Sequence, residues 1–456
     1  MSILELYFFS HLVLRSFTNG FDRIFGLQSS LIASVAAIIA GIVVSIHFFQ
    51  KVAIPPQIYK LILPLTFFIL ICFISYAVNA YAEDNIRDSF HAWYVVIQHF
   101  YLLAVIVMVA CIYRGPNFVR YVYHACIIVI VIDSGTAIGQ YLTGHTIMVT
   151  PYDKYARVAG LSAHPVTFSL EVAIIFFVWE LARRKQRLSF KLRHAGICLL
   201  VIVALILSAS RTGILLFGIV LGLYYLVRRP ILAPVFLIAA AVIVTASPFE
   251  TLFSELRSIP NYLSSGDFMT WDYHTAPTSV HWRIYHWYYM TSLGLSHPWF
   301  GFGPGQEISY SPFSREAHSQ FVEIFFETGI IGLLAYCVFW WRMAKAALTP
   351  VDQKAPADAA RGADLRALWF ILFIGITLVS LFDQSFNLET VSFTFLIVSI
   401  FIMQAPPLAE AEVKQLPPRA AKIPAWRWRR ASIAVPHAGA RPGLVMLART
   451  GQSETQ

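Results

Sequence analysis

The chain has 456 residues, 57% of them hydrophobic and 13% charged, with mean hydropathy +0.64, whereas a soluble globular chain carries about a quarter charged residues. A water-soluble globular protein is excluded. The net charge of +9 lies in short inter-helix segments and the tail, so it reads as a membrane-orientation signal before it reads as a nucleic-acid surface.

Residues 1–30 open with an apolar stretch interrupted by Glu5, His11 and Arg15, which suits an interfacial helix or a short membrane helix. No cleavable signal is expected there, because no positively charged leader precedes an apolar core. Apolar stretches then follow at 31–49, 60–80, 93–112, 118–142, 161–182, 194–209, 212–228, 231–247, 319–346, 367–385 and 389–404, each near the length of about 20 residues that crosses a bilayer as a helix. A backbone in hydrocarbon must satisfy its own hydrogen bonds, and no alternating barrel pattern is present. The expected fold is therefore all-α, a polytopic transmembrane bundle of about eleven or twelve helices. The spans divide into 31–247 and 318–404, separated by a long loop at 248–317. Helix connections usually take about two to eight residues, so that loop is expected to have a function of its own. The tail, 405–456, is rich in Pro, Ala and Arg and is expected to be disordered, either as a solvated basic tail or touching anionic lipid through Trp426 to Arg430. All five cysteines (Cys72, Cys111, Cys126, Cys198, Cys337) sit in apolar stretches without metal-ligand spacing, so neither a disulfide framework nor a zinc site is indicated.

Charge sets the sides. Arg183, Arg184, Lys185, Arg187, Lys191 and Arg193 crowd one short segment without an acid, which marks it as cytoplasmic. Counting outward, Arg228, the segment holding Arg342 to Arg366 and the tail share that side. The acidic segment with Glu83, Asp84 and Asp88, residues 143–160, the turn at Ser210 and the loop 248–317 face the other way.

Four basic residues stand on that outer side: Arg157, Arg211, Arg283 and His318. Arg211, in Ser208-Ala209-Ser210-Arg211-Thr212-Gly213, lies at the membrane interface, where an arginine either meets an anion or snorkels to headgroups. The same turn would present the Ser208 and Ser210 hydroxyls to that anion. Arg157 precedes Gly160 and His164-Pro165, where a helix start would add anion-binding donors. Arg283 lies in His281-Trp282-Arg283-Ile284-Tyr285-His286-Trp287, ahead of Pro298-Trp299-Phe300-Gly301-Phe302-Gly303-Pro304-Gly305. Arg157 and Arg283 each suit either a site or an interface anchor. Three converging guanidinium forks would clamp a diphosphate. His318 opens a run that reaches Glu323, Glu327 and Gly329, and imidazole, with a pKa near about 6.5, is suited to taking a proton from a sugar hydroxyl. Glu327, one turn past Glu323, either orients neighbours or faces other helices. The aromatics Trp271, Tyr273, Trp282, Tyr285, Trp287, Tyr288 and Tyr289 suit sugar rings and an interfacial belt equally. No phosphate loop, HExxH or Asp-x-Asp pair is present, so nucleotide chemistry is unsupported. Asp133 and Asp383 are the acids that a proton-coupled transporter would need.

Four blocks in order, Arg157 to Pro165, Ser210 to Gly213, Arg283 to Trp287 with Gly301-Phe302-Gly303, and His318 to Gly332, together resemble the O-antigen ligase and polysaccharide polymerase superfamily of bacterial envelopes. The resemblance covers most of 150–345. It implies a GT-C-type glycosyltransferase, inverting and independent of metal or other cofactor, that acts at the periplasmic face of the inner membrane. Its partners would be a polyprenyl-diphosphate-linked saccharide donor, a saccharide acceptor, membrane lipids, and chain-length or export proteins, with no nucleic acid. By the same implication Arg157, Arg211 and Arg283 hold the diphosphate and His318 is the base. Ser319 departs from the Asn that the family often has there. The polymerase branch is the nearer match. A ligase acting on lipid A core and, from another class, a transporter or flippase are the alternatives.

Overall fold

In the computed structural model of the chain, the described residues are 3–17, 29–48, 56–81, 85–115, 117–144, 158–162, 164–228, 257–258, 260–261, 264, 279–349, 356–382 and 390–405. Every regular element among them is a helix: α1 (Ile3–Arg15), α2 (Ser29–Phe48), α3 (Pro56–Tyr81), α4 (Ser89–Ile112), α5 (Phe118–Thr143), α6 (Pro165–Lys185), α7 (Leu192–Ser208), α8 (Arg211–Arg228), α9 (Ser279–Gly294), α10 (Glu307–Tyr310), α11 (Gln320–Leu348), α12 (Pro356–Phe382) and α13 (Thr390–Gln404). Seven are long and apolar enough to cross a membrane, and 34–43, 192–208 and 391–404 are shorter apolar helices. Those ten correspond to ten of the expected spans. The remaining one, 231–247, lies outside the described residues, as do Arg157, Asp383, most of 229–278 and the tail beyond Ala405.

Lipid-facing surface explains what would otherwise be a packing fault. Leu63, Phe67 and Leu70 of α3 are 66%, 49% and 51% exposed, a contiguous apolar stripe that a soluble monomer does not tolerate. The centre is α6, which packs on α5, α7, α8, α12 and α13. Its middle, Val172 to Val178, is apolar on all sides, as a surrounded segment must be, and Phe177 and Trp179 are buried. α12 begins at Pro356, eleven residues before the expected apolar stretch, because its polar first turns continue as helix and carry Asp364 into an ion-pair network.

That network defines one end of the bundle. Asp364 meets Arg184 at 2.8 Å and Arg228 at 3.0 Å, while Arg183 meets Glu180 at 2.7 Å. Gln186 donates to the Val119 carbonyl and Lys185 to that of Met403. The ends of α5, α6, α8, α12 and α13 that carry the basic segments therefore lie together. At the opposite ends of these helices, α3 and α4 meet residues 297–310, α5 meets 159–161, and α6 meets the turn before α8. Among the described residues, the basic segments and the segments at 159–161, Ser210 and 297–310 fall at opposite ends, as their grouping by charge expects.

Candidate active site

The glycine-rich segment after α9 and the kink in α11 are two halves of one interlock. Gly329 (φ 66, ψ −167) interrupts α11, which leaves backbone groups that must find partners elsewhere. The Phe302 amide donates to the Phe326 carbonyl and the Gly303 amide to that of Glu327, each at 2.9 Å, while the Ile330 amide donates to Pro298 O at 2.8 Å. Gly301 and Gly303 adopt φ of 63 and 99; a Cβ on Gly301 would also approach the Glu327 backbone carbon to 2.5 Å. Ser75 Oγ of α3 caps the same carbonyl of Glu327 at 2.8 Å, and Asn79 Nδ2 donates to Gly301 O at 3.0 Å. The Glu327 carboxylate accepts the Gly305 amide at 2.7 Å. Of its two sequence readings, Glu327 takes the orienting one.

This interlock sets the path into His318. The Glu307 carboxylate accepts the Ala317 amide, and the Trp287 indole donates to the Ala317 carbonyl at 2.6 Å. Held on both sides, the chain passes through His318 at φ 52, a left-handed conformation costing an L-residue about 1–2 kcal/mol. Ser319 stands at the N-cap of α11 and makes no side-chain cap bond. The Trp282 ring meets His318 edge-on at 5.3 Å, and the Arg283 guanidinium lies 5.9 Å from the Trp282 centroid. Arg283 and His318 thus share one aromatic neighbour. His286, one turn from Trp282, is fully buried, and burial first, then the charge on His318, lowers its pKa to about 3. Burial likewise lowers His281.

Arg211 is the first residue of α8 and half-buried. The expectation that Ser208 and Ser210 turn their hydroxyls to a bound anion is corrected: both are fully buried. Ser208 Oγ donates to Leu205 O at 2.7 Å and accepts the Ser210 amide at 3.2 Å; Ser210 Oγ accepts from Ser169 Oγ of α6 at 2.7 Å. They close a tight turn that passes through Ala209 at φ 48, where unsatisfied hydroxyls would be costly. Gly213 is small because its Cβ would come within 2.8 Å of the Ser169 backbone carbon.

Arg157 itself is outside the described residues, but the turn that follows it is held by three side chains. Gln140 Oε1 accepts the amides of Ala159 (3.2 Å) and Gly160 (3.1 Å), and its Nε2 donates to Gly160 O at 2.7 Å. Asp133 Oδ1 accepts the Leu161 amide at 2.7 Å, and Ser162 Oγ donates to Glu171 at 2.6 Å. Asp133, the acid a transporter would use, is therefore a loop clamp here. α6 starts at Pro165, with His164 Nδ1 accepting the Val166 amide at 3.1 Å.

Sequence reasoning missed Gln140, Glu171, Gln306 and Glu307, whose partners are 9 to 20 residues away or, for Gln306 with Arg87, 219 away. No local pattern announces them. It also found no carboxylate set with ligand spacing, whereas the fold brings buried carboxylates of Glu307, Glu323 and Glu327 within 4.8 Å of one another. That spacing could hold a cation, although Glu307 and Glu327 each already accept a backbone amide.

No curated protein matches the chain. Residues 196–337, from α7 into α11, match the family model described as O-Antigen ligase. Arg211, Arg283 and His318 all fall within that segment, as do the glycine turn and the kink it clamps. Over those residues the helical membrane chain is similar to the O-antigen ligase family, consistent with the O-antigen ligase and polysaccharide polymerase superfamily.

Proposed function

We propose that the protein is an inner-membrane glycosyltransferase joining polyprenyl-diphosphate-linked saccharide units at the periplasmic face. The observation that carries this reading is the meeting of Arg283 and His318 on Trp282 inside the matched O-antigen ligase segment. His318 takes the proton of an acceptor hydroxyl as its oxygen attacks the anomeric carbon. The bond from that carbon to the donor phosphate oxygen breaks, and polyprenyl diphosphate leaves with the electron pair, inverting the centre. Arg157, Arg211 and Arg283 meet the charge on the diphosphate, each as a planar fork that stays protonated. This reading assigns the charge stabilisation to the arginines and routes no step through a metal. Chain-length or export proteins are the partners that would follow such a product.

The polymerase reading uses a second lipid-linked chain as acceptor. A ligase using lipid A core is the second reading, favoured by the name of the matched family. One assay tests both: the purified protein receives lipid-linked saccharides extracted from the membranes of its source cell, in chelator-containing buffer. Release of polyprenyl diphosphate with a lengthened lipid-linked glycan is expected. A glycan joined only to added lipid A core would select the ligase, and translocation without bond formation would overturn the enzyme.

A further inference from the structure

His286 is used by nothing described so far. It is fully buried, and neither ring nitrogen has a hydrogen-bond partner among the described residues. A neutral imidazole always carries one N–H and one lone pair, and buried polar groups in folded proteins are almost always paired. Such a ring is either a packing fault or a group kept for a partner that arrives during function.

Its surroundings identify that partner. His286 lies against Phe313 (centroids 5.1 Å apart, near-perpendicular) and Trp282 (5.9 Å). Trp282 in turn meets Phe313 at 5.9 Å and His318 at 5.3 Å. The two imidazoles therefore share one aromatic wall, and His318 is near enough for its charge to act on His286. His318 is half-buried and His286 fully buried, and no hydrogen bond joins the two rings in this structure. Other titratable side chains on the parts of the elements that pack here are His281, Arg283, Tyr285, Tyr288 and Tyr289 of α9, Glu307 of α10, Arg315 and Glu316 of the segment before His318, and Glu323 and Glu327 of α11.

We propose that His286 is the positioning residue of His318, offering the lone pair of its neutral ring to the N–H of His318 and so orienting the base and receiving the imidazolium that proton transfer creates. This rests on the reading of His318 as the base. The proton passes from the acceptor hydroxyl to one His318 nitrogen; the other nitrogen's N–H donates to His286, which gains no proton. Acid–base sites commonly orient their base through such a third group. A carboxylate there would raise the pKa of His318 and hold it protonated. A neutral ring orients the base without that cost, and its depressed pKa keeps it an acceptor after His318 has become charged.

The test starts with the protein alone. Nitrogen-15 NMR of histidine-labelled protein, with H318A and H286F assigning the two rings, gives the His318 titration midpoint. H286F should lower that midpoint by about one unit, the scale of a lost hydrogen bond to a charged group. H286N, which keeps an acceptor oxygen, should recover part of it, and H286L repeats the test with a smaller side chain should H286F fail to fold. With extracted lipid-linked saccharides as substrate, H286F should lower kcat at least about tenfold with donor KM within about twofold, and it should have no further effect in an H318A background. An unmoved midpoint in H286F or H286L overturns the proposal, as does an equal loss in H286F and H286N with the midpoint unchanged. If the midpoint moves yet H318A turns over normally, the pairing stands and the general-base reading is what fails.

Discussion

Trp287 donates its indole N–H to the carbonyl of Ala317 at 2.6 Å, one residue before His318. The bond ties the aromatic helix α9 to the strained entry of α11, and it makes the placement of a candidate base depend on an indole that lies 30 residues earlier in the chain. Replacing Trp287 with Phe keeps the ring and removes the donor. Turnover should fall about five- to tenfold, the scale of about 1 kcal/mol for one hydrogen bond, while donor binding stays near wild type. Unchanged turnover in W287F would mean that the Glu307 carboxylate alone holds the Ala317 peptide.

His318→Ala should remove turnover and leave the lipid-linked donor bound, because diphosphate recognition is assigned to the arginines. General-base catalysis contributes about a hundred- to ten-thousand-fold. Single-turnover rates beside equilibrium binding of donor separate the two roles. A correctly folded H318A with a large fraction of the wild-type rate would remove the base from the mechanism.

Arg211→Lys should not restore what Arg211→Ala removes. An ammonium is a point charge, and hydrogen bonds to a charged group are worth about 1.5–3 kcal/mol, or about ten- to a hundredfold in rate or affinity. Ser208 and Ser210 close the turn beneath Arg211, so neither hydroxyl is expected to substitute for the lost fork. Wild-type donor affinity in R211K would reduce Arg211 to an interface anchor.

The buried His286 makes stability pH-dependent in a stated direction. Its folded pKa is lowered to about 3 from an unfolded value near about 6.5, so below about 6.5 the unfolded chain binds a proton that the folded chain refuses. Its contribution to stability is intact above that value, declines as pH falls through it, and stops changing below about 3. Between about pH 8 and pH 5 the loss amounts to roughly 2 kcal/mol. Thermal unfolding in detergent should show that part of the acid-side loss missing in H286F. An identical acid-side decline in both proteins would place the responsible group elsewhere.

Reporter fusions should place Arg183 and Arg427 in the cytoplasm and Arg283 and His318 in the periplasm, as the positive-inside count requires. The ion-pair network of Arg184, Asp364 and Arg228 gathers the basic ends of three helices, so a fusion after Arg283 active only in the cytoplasm would invert the entire site assignment.

Element type and the division of loops into two sides are encoded locally. Apolar runs near spanning length, and basic segments such as Arg183 to Arg193, act through lipid and membrane charge, which each segment meets on its own. Arg211 and His318 became candidates for the same reason, as short motifs at the ends of such runs, and Arg283 as a motif within the long loop. What holds them was not legible. Gln140 clamps a turn 20 residues away, Ser75 reaches Glu327 across 252 residues, and Glu307 meets Glu323 and Glu327 only because a glycine turn docks into the kink at Gly329. A buried amide or carbonyl must find a partner, but any polar side chain of suitable length can supply it. Only the packing of α3 and α9 on α11, and of α5 on the turn before α6, decided which one did, and only the tertiary structure put His286 and His318 on one aromatic wall.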